Sequence, residues 1–97
     1  MGYIRHMNYI EHEDEVAFHP GYYLIDAING TGYTFQEFSK RSGISEVDLA
    51  CIICGELDVN DDKARGLSKV LGTSKEYWNN IQKKYNVKKE EWKDENI

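Results

Sequence analysis

Glycine, and the small polar residues that follow it, divide this chain more firmly than any other feature of it. Gly30 and Gly32, then Gly43, Gly55 and Gly72, are each followed within a few residues by a side chain suited to start a helix: Thr34, Ser45, Asn60 and Thr73. Glycine enters the left-handed conformation that closes a helix, and Thr, Ser or Asn accepts a hydrogen bond from the unpaired N–H groups that open the next one. Strand signals are nearly absent, so the punctuation predicts a succession of short helices.

The apolar residues fit that reading at helical spacing. Pro20, the only proline, suits a first helical position, and Leu24, Ile25 and Ile28 follow on one face. Thr34 with Glu37 forms a capping box that opens a second helix carrying Phe38 inward, and Gly43 stops it. Ser45 with Asp48 opens a third with the stripe Leu49, Ile52 and Ile53, its box weaker because the carboxylate arm is short. Asn60 caps a fourth with Asp61 and Asp62 in its first turn, where they complement the helix dipole, and Ala64, Leu67, Val70 and Leu71 line its inner face. Thr73 with Glu76 opens a fifth that buries Trp78 and Ile81, with Tyr77 and Tyr85 as further candidates.

The expected architecture is therefore all-α, with five helices in residues 18–86, an acidic arm at 1–17 and a charged, fraying tail at 87–97. The expected core is Leu24, Ile28, Phe38, Leu49, Ile52, Leu67, Leu71, Trp78 and Ile81. At 97 residues the chain makes one domain. It contains no apolar run near the roughly eighteen residues of a membrane span, and no signal-peptide pattern, so a cytoplasmic protein is expected.

The second and third helices have helix-turn-helix spacing, with Ser39 four residues before Gly43 and with Leu49 and Ile52 placed to wedge between the helices. Wider segments carry a resemblance. Phe18-His19-Pro20-Gly21-Tyr22-Tyr23-Leu24, Lys40-Arg41-Ser42-Gly43-Ile44-Ser45-Glu46-Val47, Leu67-Ser68-Lys69-Val70-Leu71-Gly72-Thr73-Ser74-Lys75-Glu76-Tyr77-Trp78 and Asn80-Ile81-Gln82-Lys83-Lys84-Tyr85 occur in that order. Together they resemble HigA-type antitoxins, a branch of the XRE helix-turn-helix proteins with a lambda-repressor-like domain. The resemblance implies a five-helix DNA-binding domain, usually dimeric, that represses its own operon and pairs with a ribonuclease toxin. No cofactor is implied.

The chain departs from that pattern where DNA would be read. The family commonly has threonine, serine, arginine and asparagine where this sequence has Asp48, Ala50, Cys51 and Cys54. Phe35 replaces an early glutamine of the second helix, and Glu56-Leu57-Asp58 replaces basic residues. From Ser42 to Asp62 inclusive there are six carboxylates and no lysine or arginine. The net charge of −5 sharpens the conflict, because phosphate neutralisation by cations supplies most non-specific DNA affinity.

Other chemistry is less well supported. Cys51-x-x-Cys54 lacks the second ligand pair of a zinc site and the strand–helix setting of a redox motif, so no metal is expected; Cys54 is expected to pack and Cys51 to face outward. His19 reads as a helix cap or packing residue, since no nucleophile or acid accompanies it. Lys83, Lys84, Lys88 and Lys89 form a basic patch, either a solvated helix end or a phosphate contact. No catalytic constellation is present, and the chain is not expected to be an enzyme.

Two functions remain in view. As a DNA-binding regulator, the chain would present Glu46, Val47, Asp48, Ala50 and Cys51 to the major groove, where glutamate can accept from cytosine N4 and valine or alanine can touch a thymine methyl. Thr34, Gln36, Lys40 and Arg41 would hold the backbone, and a homodimer would match paired half-sites. The alternative is a protein-interaction module on the same scaffold with DNA binding weakened or lost.

Overall fold

Gly32, Gly43 and Gly72 cap the ends of the first, second and fourth helices, and Thr34, Ser45 and Asn60 open the second, third and fourth. The computed structural model describes residues 3–5, 9–12 and 15–95, with side chains for Tyr9 and for residues 17–91. Five helices follow one another: α1 (Pro20–Thr31), α2 (Phe35–Ser42), α3 (Glu46–Ile53), α4 (Asp61–Leu71) and α5 (Lys75–Glu95). The side chains of His19, Thr34, Ser45 and Asn60 each accept a hydrogen bond from a first-turn N–H of α1 to α4 respectively. At α5 the expected cap is displaced by one residue. Ser74 Oγ accepts from the Tyr77 N–H at 3.2 Å, while Thr73 Oγ1 is held at 2.8 Å by the Trp78 indole N–H.

The stripes meet in one core. Leu24, Phe38, Leu49, Ile52, Ala64 and Leu67 are fully buried, and Ile28 and Trp78 nearly so. Leu71 and Ile81 pack against this core half-buried rather than inside it. Ile44, Val59 and Tyr85 are buried as well. Ile44 and Val59 lie in connections outside any helical period, where spacing gives no sign of burial. Ile25, expected on the inner face of α1, is exposed because it falls one residue round the helix from Leu24 and Ile28, which carry the contact. Tyr77 is likewise exposed beside the buried Trp78.

Two backbones meet closely at Gly21. A Cβ there would overlap the Ile52 carbonyl oxygen and lie 2.8 Å from its carbon. The absence of a side chain at this position is what seats the start of α1 on the end of α3.

The two ends of the chain differ from expectation. The N-terminal segment, read as an arm, contains strands β1 (Tyr3–Arg5), β2 (Tyr9–His12) and β3 (Glu15–Phe18) in an antiparallel sheet of order β1-β2-β3. Tyr9 pairs with Phe18, their rings 5.4 Å apart, and β2 and β3 pack on α5. Strands of three or four residues are too short to establish a period of two, so the sheet is legible only from its pairing. The tail beyond Asn86, expected to fray, continues α5 as far as Glu95. No glycine or proline follows Gly72 to end the helix, and Lys88, only 8% exposed, bonds Glu91 one turn on at 3.4 Å.

Candidate nucleic-acid interface

The α2–turn–α3 unit is pinned at its corner by short polar contacts. Gly43 closes α2 with φ of 74°, a left-handed conformation that a residue with a Cβ adopts only with strain. Its N–H donates to the Ser39 carbonyl at 3.0 Å, and the Ser39 hydroxyl donates to the Ile44 carbonyl at 2.6 Å. The Ile44 N–H donates to Ser42 Oγ at 3.2 Å. Ser45 then caps α3 by accepting from the Asp48 N–H at 3.1 Å, as Thr34 does for α2 from the Glu37 N–H. Behind the corner, Gly66 of α4 lies against the Ser42 carbonyl, so α4 braces the pair at backbone distance.

With Leu49 and Ile52 buried, the opposite face of α3 is fixed. Glu46, Val47 and Ala50 are exposed, Val47 at 72%, while Asp48 and Cys51 are half-buried. This outer face offers a carboxylate, two small apolar groups and no cation. Asp48 lies 3.9 Å from Lys63 Nζ of α4, which offsets part of its charge. The cysteines are placed opposite to expectation. Cys54 is exposed because it caps α3 just past its last turn, whereas Cys51 is half-covered by the chain that folds back to its carbonyl through the N–H groups of Glu56 and Leu57. Among the described residues no group of three or more His, Cys, Asp and Glu is placed to hold a metal ion.

The residues expected to hold a nucleic-acid backbone differ in their freedom. The Thr34 hydroxyl is used as the α2 cap, and Gln36 and Lys40 are exposed. Arg41 leans back along α2, with Nε 3.1 Å from Glu37 Oε1 and its guanidinium 4.4 Å from the centre of the Tyr33 ring. Tyr33 and Lys69 were not singled out by the sequence. The two line one shallow depression of about 360 Å³ with Lys40, Arg41 and Val70. Lys69 is on α4, and only the packing of α4 on α2 brings it to the cations of α2. Of the basic patch of α5, Lys83, Lys84 and Lys88 line one depression with Asn80, Val87 and Glu91; Lys83 and Lys84 are exposed, whereas Lys88 is buried toward Glu91.

His19 is a structural cap. Its Nδ1 accepts from the Gly21 N–H at 3.0 Å, so Nε2 carries the proton and donates to Asp58 Oδ1 at 3.2 Å. The ring is fully buried and meets the Tyr85 ring edge-on, 5.1 Å between centres. Among the described residues no helix is long and apolar enough to cross a membrane.

No family model and no curated protein matches the chain. Solved structures do. An addiction module antidote protein of the HigA family from Coxiella burnetii is 28% identical, with a TM-score of 0.67 over 73% of this chain and 78% of that one. A protein from Nostoc punctiforme described as an antidote of a plasmid maintenance system is 25% identical, with a TM-score of 0.68 over 84% of this chain and 96% of that one. The chain thus resembles HigA-type antidotes in fold as well as in motif, and its helical domain is XRE-like in fold.

Proposed function

We propose that this chain is the antidote of a toxin–antidote pair and that it represses its own operon by placing α3 in the major groove of DNA. The observation that carries the reading is the pinned α2–Gly43–α3 corner, which leaves Glu46, Val47 and Ala50 exposed on a helix whose other face is locked in the core. Likeness to antidote proteins supports a toxin as the protein partner, of the ribonuclease type that the sequence resemblance implies. Glu46 is suited to a cytosine amino group, and Val47 and Ala50 to thymine methyls. Recognition of paired half-sites calls for a two-fold dimer. The exposed Tyr77 of α5, with Tyr22 and Tyr23 of α1, is the surface that fits such a contact.

One observation favours a second reading. The outer face of α3 bears carboxylates and a solvated valine, which suits a basic protein partner as well as a base pair. A reporter driven by the DNA directly upstream of the gene separates the two. Repression by the wild-type chain, lost in Val47→Asp, supports the regulator. Unchanged reporter output, with a basic protein recovered on the wild-type chain but not on Val47→Asp, supports the interaction module.

A further inference from the structure

We infer that the depression between α2 and α4 is the anchor for the DNA backbone, in which Lys69 of α4 joins Lys40 and Arg41 in receiving phosphate beside the Tyr33 ring. The inference rests on the DNA-binding reading and deepens it, by naming where an acidic chain gathers cations for a polyanion. The chain carries 12 Lys and Arg against 17 Asp and Glu, yet three cations from two separate helices converge on one concavity. Neither Lys40 nor Lys69 has an ion-pair partner among the described residues. Among the described residues Arg41 shares its charge with Glu37 alone, through Nε, which leaves the rest of the guanidinium free to donate elsewhere.

Two features favour a phosphodiester over an isolated anion. The cations are spread along two elements rather than converging on a buried point, as suits successive phosphates on a strand. Tyr33 also immediately precedes the Thr34 cap, so the depression adjoins the start of α2, where the first-turn N–H groups that Thr34 does not take lack a partner within the helix and suit an anion. The ordinary role of such residues is different: Lys40 and Arg41 end α2, and Lys69 ends α4, where cations complement the helix dipole. That role affects stability, and leaves the salt dependence of DNA binding unchanged.

The test is a fluorescence-anisotropy titration of labelled upstream DNA at several salt concentrations. Wild type is compared with Lys69→Gln and with Lys40→Gln combined with Lys69→Gln, each also melted thermally. Each glutamine should make the slope of log affinity against log salt shallower by about 0.9 per bound chain, with little change in melting temperature. Binding by all variants with the wild-type slope overturns the anchor and leaves the DNA reading intact. Such binding accompanied by loss of a protein partner reassigns the depression to that partner. Absence of DNA binding by wild type at any salt overturns anchor and reading together.

Discussion

The seating of α1 on α3 turns on a missing methyl group, and the same substitution at two glycines of α1 should act in opposite directions. At Gly21 an alanine Cβ would overlap the Ile52 carbonyl oxygen, with its carbon 2.8 Å and the Ile53 Cα 3.0 Å away. Carbon atoms in ordinary contact stand about 3.5–4.0 Å apart, and the overlap with the oxygen is deeper than either carbon contact, so α1 and α3 must separate by more than about 1 Å. All the opposing atoms are backbone, and no rotamer change relieves them. Overpacking of this kind costs about 1–3 kcal/mol, from which alanine's better helix propensity recovers up to about 1. At Gly30 nothing lies within 4 Å of the added Cβ, and only the gain remains, about 0.4–1 kcal/mol. Urea unfolding followed by circular dichroism reads both changes. With a slope of about 1–3 kcal/mol per molar, Gly21→Ala should lower the midpoint by several tenths of a molar or more, and Gly30→Ala should raise it. A Gly21→Ala midpoint at or above that of wild type would refute the close approach of α1 and α3, and with it the orientation of the outer face of α3.

Ile52→Ala empties a fully buried site at the centre of the core and should cost about 2–5 kcal/mol in the same assay; a shift below 1 would show α3 to be misplaced. The Tyr85 hydroxyl is buried with no hydrogen-bond partner among the described residues, so Tyr85→Phe should hold or raise stability, by up to about 1–3 kcal/mol; clear destabilisation would reveal a partner for that hydroxyl. Hydrogen bonds from Lys75 and Asn79, with the nearby charges of Lys75 and Arg65, hold the Asp61 carboxyl below the usual carboxylate range. A carboxyl whose pKa is depressed on folding stabilises above its unfolded pKa and loses that contribution as pH falls. Asp61→Asn should therefore flatten the decline of stability between about pH 5 and pH 2, and an unchanged acid limb would contradict the pairing.

The helical part of the fold was legible because its signals are local. A cap such as Ser45 or Asn60 and a terminator such as Gly43 act within one turn, and both occupy the expected roles. What escaped depends on pairing between distant segments. The sheet needs Tyr9 opposite Phe18, Ile44 and Val59 are buried only by the helices that close over them, and Lys69 joins Arg41 only once α4 lies on α2. The cysteines were inverted because helical spacing was extended through Cys54, where α3 has already ended. For the interface, sequence supplied the residues of α2 and α3 but not their freedom, since whether Arg41 is bound to Glu37 and Tyr33 is a matter of side-chain conformation.

The central claim is that an acidic chain binds DNA through α3 with few cations in support. Titration of its own upstream DNA across a salt series tests this most directly. Lys40, Arg41 and Lys69 give about three phosphate contacts per chain, hence a slope of about −2.7 for each bound chain, shallow beside a strongly basic repressor. The account predicts specific binding with that modest slope, weakened when Val47 is replaced by aspartate. A steep salt dependence would contradict the charge argument, and no binding at any salt would contradict the claim itself.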